Sequence, residues 1–327
     1  MPPSLRACID DALAGVKTSV LAARVERLSA TYRTGEAASS PILSSADDVL
    51  AYAAYRMPAT HAVAHAVFRQ LPVVLPDFEP RTLVDMGSGT GAVAWAAAEV
   101  WPSLAGLELL EQSSAAVSLG KILMQSSHSS VLQAATWRSW QLSDADDVGN
   151  GDLATAAYVL GELTRVQQSS LLRSLVDCAP VVVVIEPGTP AGFARILRAR
   201  SYFTDAGFTI AAPCPHELTC PMVTRNDWCH FAARLERSRV HRAVKDGDLS
   251  YEDEKYSYVV AVRGDADRAD ARILRHPQTR KGLVSLQLCS ATGDVVELRV
   301  SKSEGTLYKS ARHAAWADPW PPPLDVR

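Results

Sequence analysis

The segment Leu83-Val84-Asp85-Met86-Gly87-Ser88-Gly89-Thr90-Gly91 constrains this chain more than any other. A short apolar run ends in an acid, three glycines follow at alternate positions, and the alanine-rich stretch 92–100 comes next. The pattern reads as strand, tight turn and helix. Glycine permits positive φ and leaves no Cβ in the way of an approaching ligand. In open α/β sheets a turn at the carboxyl end of a strand is where ligands bind. Glu111, twenty residues after Gly91, closes a second apolar run, Leu104–Leu110. An acid there accepts hydrogen bonds from both ribose hydroxyls of a nucleoside. The alternative is a glycine turn that binds nothing, since short motifs recur by chance.

The remainder falls into three regions. Residues 1–80 read as helical, with apolar spacing through 10–30, a Ser45-Ala46-Asp47-Asp48 cap before a helix at 49–55, an interruption at Met57-Pro58, and a helix resuming over 61–71. His61 and His65 share a helical face without further ligands nearby, which reads as a packed or solvated pair. Residues 81–212 alternate strand and helix. The unbroken run Val181-Val182-Val183-Val184-Ile185-Glu186 suits a parallel strand covered on both faces. Residues 213–327 open on a Pro- and Cys-rich loop and a basic segment. Strand-like runs follow at 256–262, 283–288 and 295–300, with Gly293-Asp294 turning the last two into a hairpin. The expected fold class is α/β, a Rossmann-like domain with N-terminal helices and a C-terminal Cys-rich, β-containing region.

The spacing Asp-x-Gly-x-Gly-x-Gly resembles motif I of class I S-adenosylmethionine (SAM) methyltransferases more than the dehydrogenase fingerprint. In that arrangement Asp85 and the turn Gly87, Ser88, Gly89 and Gly91 face the methionine part and Glu111 holds the ribose. Asp144 reaches the adenine amino group or belongs to a solvated loop with Asp146 and Asp147. The stretch Ala157-Tyr158-Val159-Leu160-Gly161-Glu162-Leu163 lacks the Asn/Asp-Pro-Pro-aromatic signature of base N-methyltransferases; Glu162 is its one candidate base. Methyl transfer from a sulfonium needs little acid–base help once the nucleophile is positioned, so turnover stays open.

Six cysteines are present, and no apolar signal core precedes them, so disulfides are not expected. Cys8 and Cys178 stand alone. Pro213-Cys214 and Thr219-Cys220 mimic the paired motifs of cytosine-5 RNA methyltransferases, but both lie in one loop, out of the required context. Cys214, Cys220, Cys229 and Cys289 read better together. Paired Cys-x2-Cys hooks of zinc ribbons are absent, and three spaced thiolates with a distant fourth suit a larger object such as a 4Fe–4S cluster. His216 and His230 keep a Cys/His zinc site open, and reduced buried cysteines are the alternative without metal.

Net charge is −3, yet Arg234, Arg237, Arg239, Arg242 and Lys245 form a dense basic run with only Glu236 opposing. With Trp228 and Phe231 nearby, the segment suits RNA phosphates and splayed bases, or a solvated helix face. No uncharged apolar stretch is long enough to span a membrane, and nothing suggests DNA. Asp10, Asp11 and Glu26 argue against an acid-poor transit peptide, which gives a cytoplasmic expectation.

Taken in order from about residue 45 to the C-terminus, several stretches resemble one family. They include Tyr52-Ala53-Ala54-Tyr55-Arg56-Met57-Pro58, the 85–91 turn, Leu160-Gly161-Glu162-Leu163, Glu186-Pro187-Gly188-Thr189-Pro190, Pro213-Cys214-Pro215-His216, Cys220-Pro221-Met222, Asp227-Trp228-Cys229-His230-Phe231 and Tyr251-Glu252-Asp253-Glu254-Lys255-Tyr256. The family is the mitochondrial small-ribosomal-subunit assembly proteins known as methyltransferase-like protein seventeen, with its yeast mitoribosomal and bacterial relatives. The resemblance implies a class I methyltransferase fold, a 4Fe–4S site on Cys214, Cys220, Cys229 and Cys289, and binding to the small subunit and its rRNA during assembly, with little or no turnover. Its modest charge and its N-terminus make a bacterial cytoplasmic member the expectation. An active SAM-dependent rRNA methyltransferase and a small-molecule methyltransferase with a structural zinc are the competing readings.

Overall fold

The computed structural model describes residues 1–34, 43, 45–142, 148–238, 240–242 and 249–322. Helices α1 (Pro3–Ala12), α2 (Thr18–Thr34), α3 (Ala46–Phe68) and α4 (Leu71–Val74) come first. The alternating part follows: β1 (Thr82–Met86), α5 (Ala92–Val100), β2 (Gly106–Glu111), α6 (Ser114–Gln125), α7 (Ser130–Gln133), β3 (Thr136–Ser139), β4 (Leu153–Ala157), α8 (Arg165–Cys178), β5 (Val181–Pro187), α9 (Pro190–Asp205) and β6 (Thr209–Ala212). The chain ends with α10 (Pro221–Thr224), β7 (Phe231–Glu236), β8 (Tyr251–Val262), β9 (Ala271–Ile273), β10 (Gln278–Arg280), β11 (Leu283–Ser290), β12 (Val295–Ser301), α11 (Thr306–His313) and β13 (Pro319–Trp320).

The first sheet runs β3-β2-β1-β4-β5-β8-β6, with β7 also paired to β8. Strands β1 to β5 are mutually parallel. β8 is antiparallel to β5, β6 and β7. Helices cover both faces, which is why β5 is apolar and buried from Val181 to Ile185. On one face Leu5, Met57, Phe68 and Trp95 join the core; on the other Leu171, Leu175 and Phe203 do.

Two N-terminal expectations are corrected. The helix expected across 10–30 breaks at Gly15, whose φ of +84° ends α1. The interruption expected at Pro58 does not occur; α3 runs unbroken through it. Met57, Pro58, Ala59 and Thr60 are all buried, so packing outweighs the one hydrogen bond that proline forgoes. Ser45 caps this helix as expected, accepting from the Asp48 amide at 3.2 Å.

A further correction concerns the boundary after residue 212. β7 and β8, expected in the C-terminal region, belong to the first sheet. Residues 256–262 of β8 are buried throughout and fill the space between β5 and β6, while 251–256 pair with β7. Only the later strands form a second sheet, in the order β10-β11-β9-β13, with β12 on β11. The hairpin expected at Gly293-Asp294 joins β11 to β12. Ile273, Val284, Leu286, Val300, Ala311 and Trp320 form its core.

Candidate functional site

Gly87, Gly89 and Gly91 adopt φ of +74°, +55° and +85°, a region closed to most side chains. A Cβ on Gly87 would lie 2.5 Å from Val159, whereas one on Gly89 would meet nothing nearer than the Tyr52 hydroxyl at 3.7 Å. The turn is packed from behind and open at Gly89. The amides of Gly87 and Ser88 both donate to the Leu110 carbonyl, at 2.8 and 3.1 Å. Glu111 then takes the Gly89 amide at 2.8 Å on one oxygen and the Ser113 amide at 2.7 Å on the other. This acid does more than the sequence suggested: it fastens the β1 turn to the end of β2. Burial raises its pKa against the pull of those amides.

Asp85 lies beneath the turn, 1% exposed. One carboxylate oxygen accepts from the Thr155 hydroxyl at 2.6 Å, and the other is buried with no partner. Burial pushes Asp85 up to about 7, with the Thr155 hydroxyl opposing and Glu111 adding. Above the turn stand Tyr52 and Arg56 from α3 and Tyr158 and Glu162 from the segment after β4. The Arg56 guanidinium lies 5.1 Å from the Tyr158 ring and pairs with Glu254 of β8 at 2.9 Å. Tyr158 holds φ of +63°, and its buried hydroxyl has no partner. Burial, then Glu111 and Glu186, push Glu162 up to about 8. Tyr52, Arg56 and Tyr158 were not foreseen as site residues, because only the fold brings α3 over the end of β4. Asp144 lies outside the described residues.

The second candidate site lies where the two sheets meet. Cys214 and Cys220 come from the loop after β6, Cys229 precedes β7, and Cys289 is on β11 of the second sheet. All four line one cavity, partly open to solvent, with His216, Met222, Tyr258, Arg200 and Arg272. Cys8 and Cys178 do not line it. The Cys289 sulfur is 3.4 Å from His216 Nε2, and the Ser257 hydroxyl donates to the Cys229 carbonyl at 2.8 Å. Burial raises all four thiols, Cys289 to about 12. Among the described residues no three His, Cys, Asp or Glu side chains group closely enough to hold a metal ion. The thiols instead stand around the wall of the cavity. Arg200 Nε, His216 Nδ1 and the Tyr258 hydroxyl are buried there without partners, so the lining offers polar atoms as well as sulfur to an occupant. The two arginines were missed: Arg200 looks in sequence like one more cation on a helix, and nothing local marks Arg272.

The basic segment is less free than its sequence implied. Acids absent nearby in sequence come from β8 across the β7–β8 ladder. Arg234 lies opposite Asp253 and forms a two-bond pair with it at 2.8 Å, both side chains well exposed. Arg237 turns to Glu252 at 3.0 Å, with side-chain exposures of 14% and 17%. That pair is not available to phosphate. Arg242 is exposed, while Arg239 and Lys245 lie outside the described residues. His61 and His65 stack on one another, and His61 bonds Glu99 at 2.7 Å, which is the packed form of the two arrangements expected.

Parallel strands in the order 3-2-1-4-5, an antiparallel strand wedged between the fifth and sixth, and a glycine turn tied to an acid at the end of β2 define a class I SAM methyltransferase fold. The chain belongs to the family described as mitochondrial small ribosomal subunit Rsm22, whose model matches residues 46–321. Among curated proteins it is 28% identical to the human mitochondrial ribosome assembly protein METTL17, over 82% of this chain and 61% of that protein. It is 27% identical to the mitochondrial Rsm22-cox11 tandem protein 2 of Schizosaccharomyces pombe, over 84% of this chain and 43% of that one. The chain thus spans under two thirds of either relative. Solved structures with similarity include the magnesium protoporphyrin IX methyltransferase of Synechocystis PCC 6803 with bound SAM, at TM-score 0.42, 16% identity, 63% of this chain and 81% of that one. An O-methyltransferase family protein of Burkholderia thailandensis gives TM-score 0.43 and 12% identity, over 67% of this chain and 60% of that one. These likenesses are remote, and the fold rests on the strand order. The expectation of a bacterial cytoplasmic protein is corrected: the family is described as mitochondrial, and both relatives are named as mitochondrial proteins. Among the described residues no helix is long and apolar enough to cross a membrane.

Proposed function

We propose that this chain binds SAM at the mouth formed by β1, β2 and β4, holds a 4Fe–4S cluster on Cys214, Cys220, Cys229 and Cys289, and acts in assembly of the small ribosomal subunit. The observation that carries the SAM reading is the buried, unpartnered oxygen of Asp85 beneath a glycine turn that Glu111 holds in place. A lone acceptor suits the ammonium of a methionine moiety, and the Glu111 carboxylate suits ribose hydroxyls. SAM supplies an electrophilic methyl group on a sulfonium. Asp85, Glu111 and the turn bind and orient it, while Tyr158, Arg56 and Glu162 close the acceptor side.

The cluster reading is supported by four thiols from two successive loops and a strand of the second sheet lining one cavity. A single zinc draws its ligands to about 2.3 Å from one point, and no such convergence occurs among the described residues; thiols spread around a cavity suit a multi-atom centre. The assembly reading comes from the family and from the relatives' names, and the RNA contact it requires is assigned to the exposed Arg234 and Arg242 and to Arg239 and Lys245. Methyl transfer to rRNA is the second reading. Glu162 favours it, since a carboxyl that burial pushes up to about 8 beside the glycine turn suits proton transfer.

One experiment tests the main reading. Tagged chain is sedimented with small-subunit precursors, wild type against Glu111→Ala, while calorimetry follows SAM and labelled methyl is traced into rRNA. Co-sedimentation together with SAM binding is expected. No heat with SAM removes the cofactor site, sedimentation apart from the subunit removes the assembly role, and label in rRNA establishes the second reading.

A further inference from the structure

We propose that Arg200 and Arg272 are the counter-charges of the thiolate centre, two buried guanidiniums that balance the negative charge its cysteine ligands bring into the cavity. The proposal rests on the cluster reading above. Arg200 is 7% exposed and Arg272 3%. They are the charged residues of a lining that includes no Asp or Glu. One comes from α9 on the first sheet and the other from β9 of the second, so they flank the site from both sides.

Their partners are the reason for the assignment. Arg200 donates to the carbonyls of His216 and Leu218, both at 2.9 Å. Arg272 donates to the Pro213 carbonyl at 3.0 Å, to Gln70 Oε1 at 2.9 Å and to the Ala317 carbonyl at 2.7 Å. Neither forms a direct ion pair with a carboxylate among the described residues; Arg272 stabilises the charge of Asp318 without a direct contact. Two other arginines near the loop do form such pairs: Arg268 pairs with Glu217 at 3.0 Å and Arg275 with Asp227 at 2.7 Å. A buried charge without its counter-ion is costly, and carbonyl dipoles offset only part of that cost. Four thiolates around an oxidised cubane core leave a net charge of about −2, which two guanidiniums match. The same arginines hold the loop that carries Cys214 through the carbonyls of Pro213, His216 and Leu218, so one pair of side chains shapes the site and balances it. Charge near a cluster tunes its reduction potential. Removing a positive charge makes the added electron less favourable and lowers the potential.

The test separates charge from hydrogen bonding. Arg200→Gln and Arg272→Gln keep donors but lose charge; Arg200→Lys and Arg272→Lys keep charge but lose the planar fork. Full-length chain, purified anaerobically, is assayed for iron and sulfide and titrated reductively by electron paramagnetic resonance. The Lys variants are expected near wild type in iron content and midpoint potential. The Gln variants are expected to shift to lower potential and to hold less iron. If the Gln variants hold too little iron to titrate, iron retained by the Lys variants supports the proposal, and iron lost from both sets overturns it. Unchanged potentials in both Gln variants also overturn it, leaving the arginines as struts. An iron-free wild type is a different failure: it removes the cluster reading and the counter-charge with it.

Discussion

Glu111 serves two purposes from one position. Its acceptances from the Gly89 and Ser113 amides fix the glycine turn, and in the proposed site it also meets the ribose. Glu111→Ala therefore leaves the Gly89 and Ser113 amides without acceptors and, in the proposed site, removes the ribose partner. SAM affinity should fall by about 1.5–3 kcal/mol, the usual value of a charged hydrogen bond, readable by calorimetry. Asp85 gives a pH dependence. Its carboxyl moves from the ordinary value of 3.8 to about 7 on folding, chiefly by burial. Between those values the native state binds more protons than the unfolded chain, so stability falls as pH rises through the window. Glu111 and Glu162, also raised by burial, add the same sign. Ligand-free Asp85→Asn should show a flatter decline between about pH 4 and about pH 7 in urea unfolding, with a gain at the alkaline end. A mutant as pH-sensitive as wild type would exclude Asp85 as a source.

Among the elements, the end of β5 ties β8, the segment after β4 and the cysteine loop together. The Gly188 amide donates to the Lys255 carbonyl of β8 at 2.9 Å, and the Trp228 indole donates to the Gly188 carbonyl at 2.9 Å. Glu186, two residues earlier, takes the Leu160 amide at 3.0 Å and Arg195 at 2.5 Å. A Cβ on Gly188 would lie 2.7 Å from backbone atoms of Lys255 and Tyr256, which cannot swing aside. Gly188→Ala should cost about 1–3 kcal/mol by forcing β5 and β8 apart, measured as a lower urea midpoint. The strand–turn–helix of β1 and α5, the apolar run of β5 and the β11–β12 hairpin were legible in the sequence, because each is encoded by local pattern. β8 was legible as a strand but not as a member of the first sheet. Its insertion between β5 and β6 depends on pairing across distant segments, which periodicity does not carry. The misjudged freedom of Arg234 and Arg237 has the same origin, since Asp253 and Glu252 reach them only through the β7–β8 register. The four cysteines could be grouped from their number and setting, whereas Arg200 and Arg272 could not.

At the scale of the molecule, the thiolate cavity is a joint. Cys214, Cys220 and Cys229 belong to segments anchored on the first sheet, and Cys289 to the second. A centre ligated by all four contributes its binding free energy to holding the sheets together. Because β7 and β8 are built into the first sheet, loss of the centre should free the part after β8 rather than everything beyond residue 213. Limited trypsin digestion of Cys289→Ser should thus open at residues 263–270, between the sheets, with β7 and β8 still protected. The central claim is most directly tested by iron and sulfide content of the six single Cys→Ser variants purified without oxygen. The four-ligand account expects Cys214→Ser, Cys220→Ser, Cys229→Ser and Cys289→Ser to lose iron, and Cys8→Ser and Cys178→Ser to match wild type. Full iron in Cys289→Ser, or zinc in place of iron and sulfide in the wild type, would contradict it.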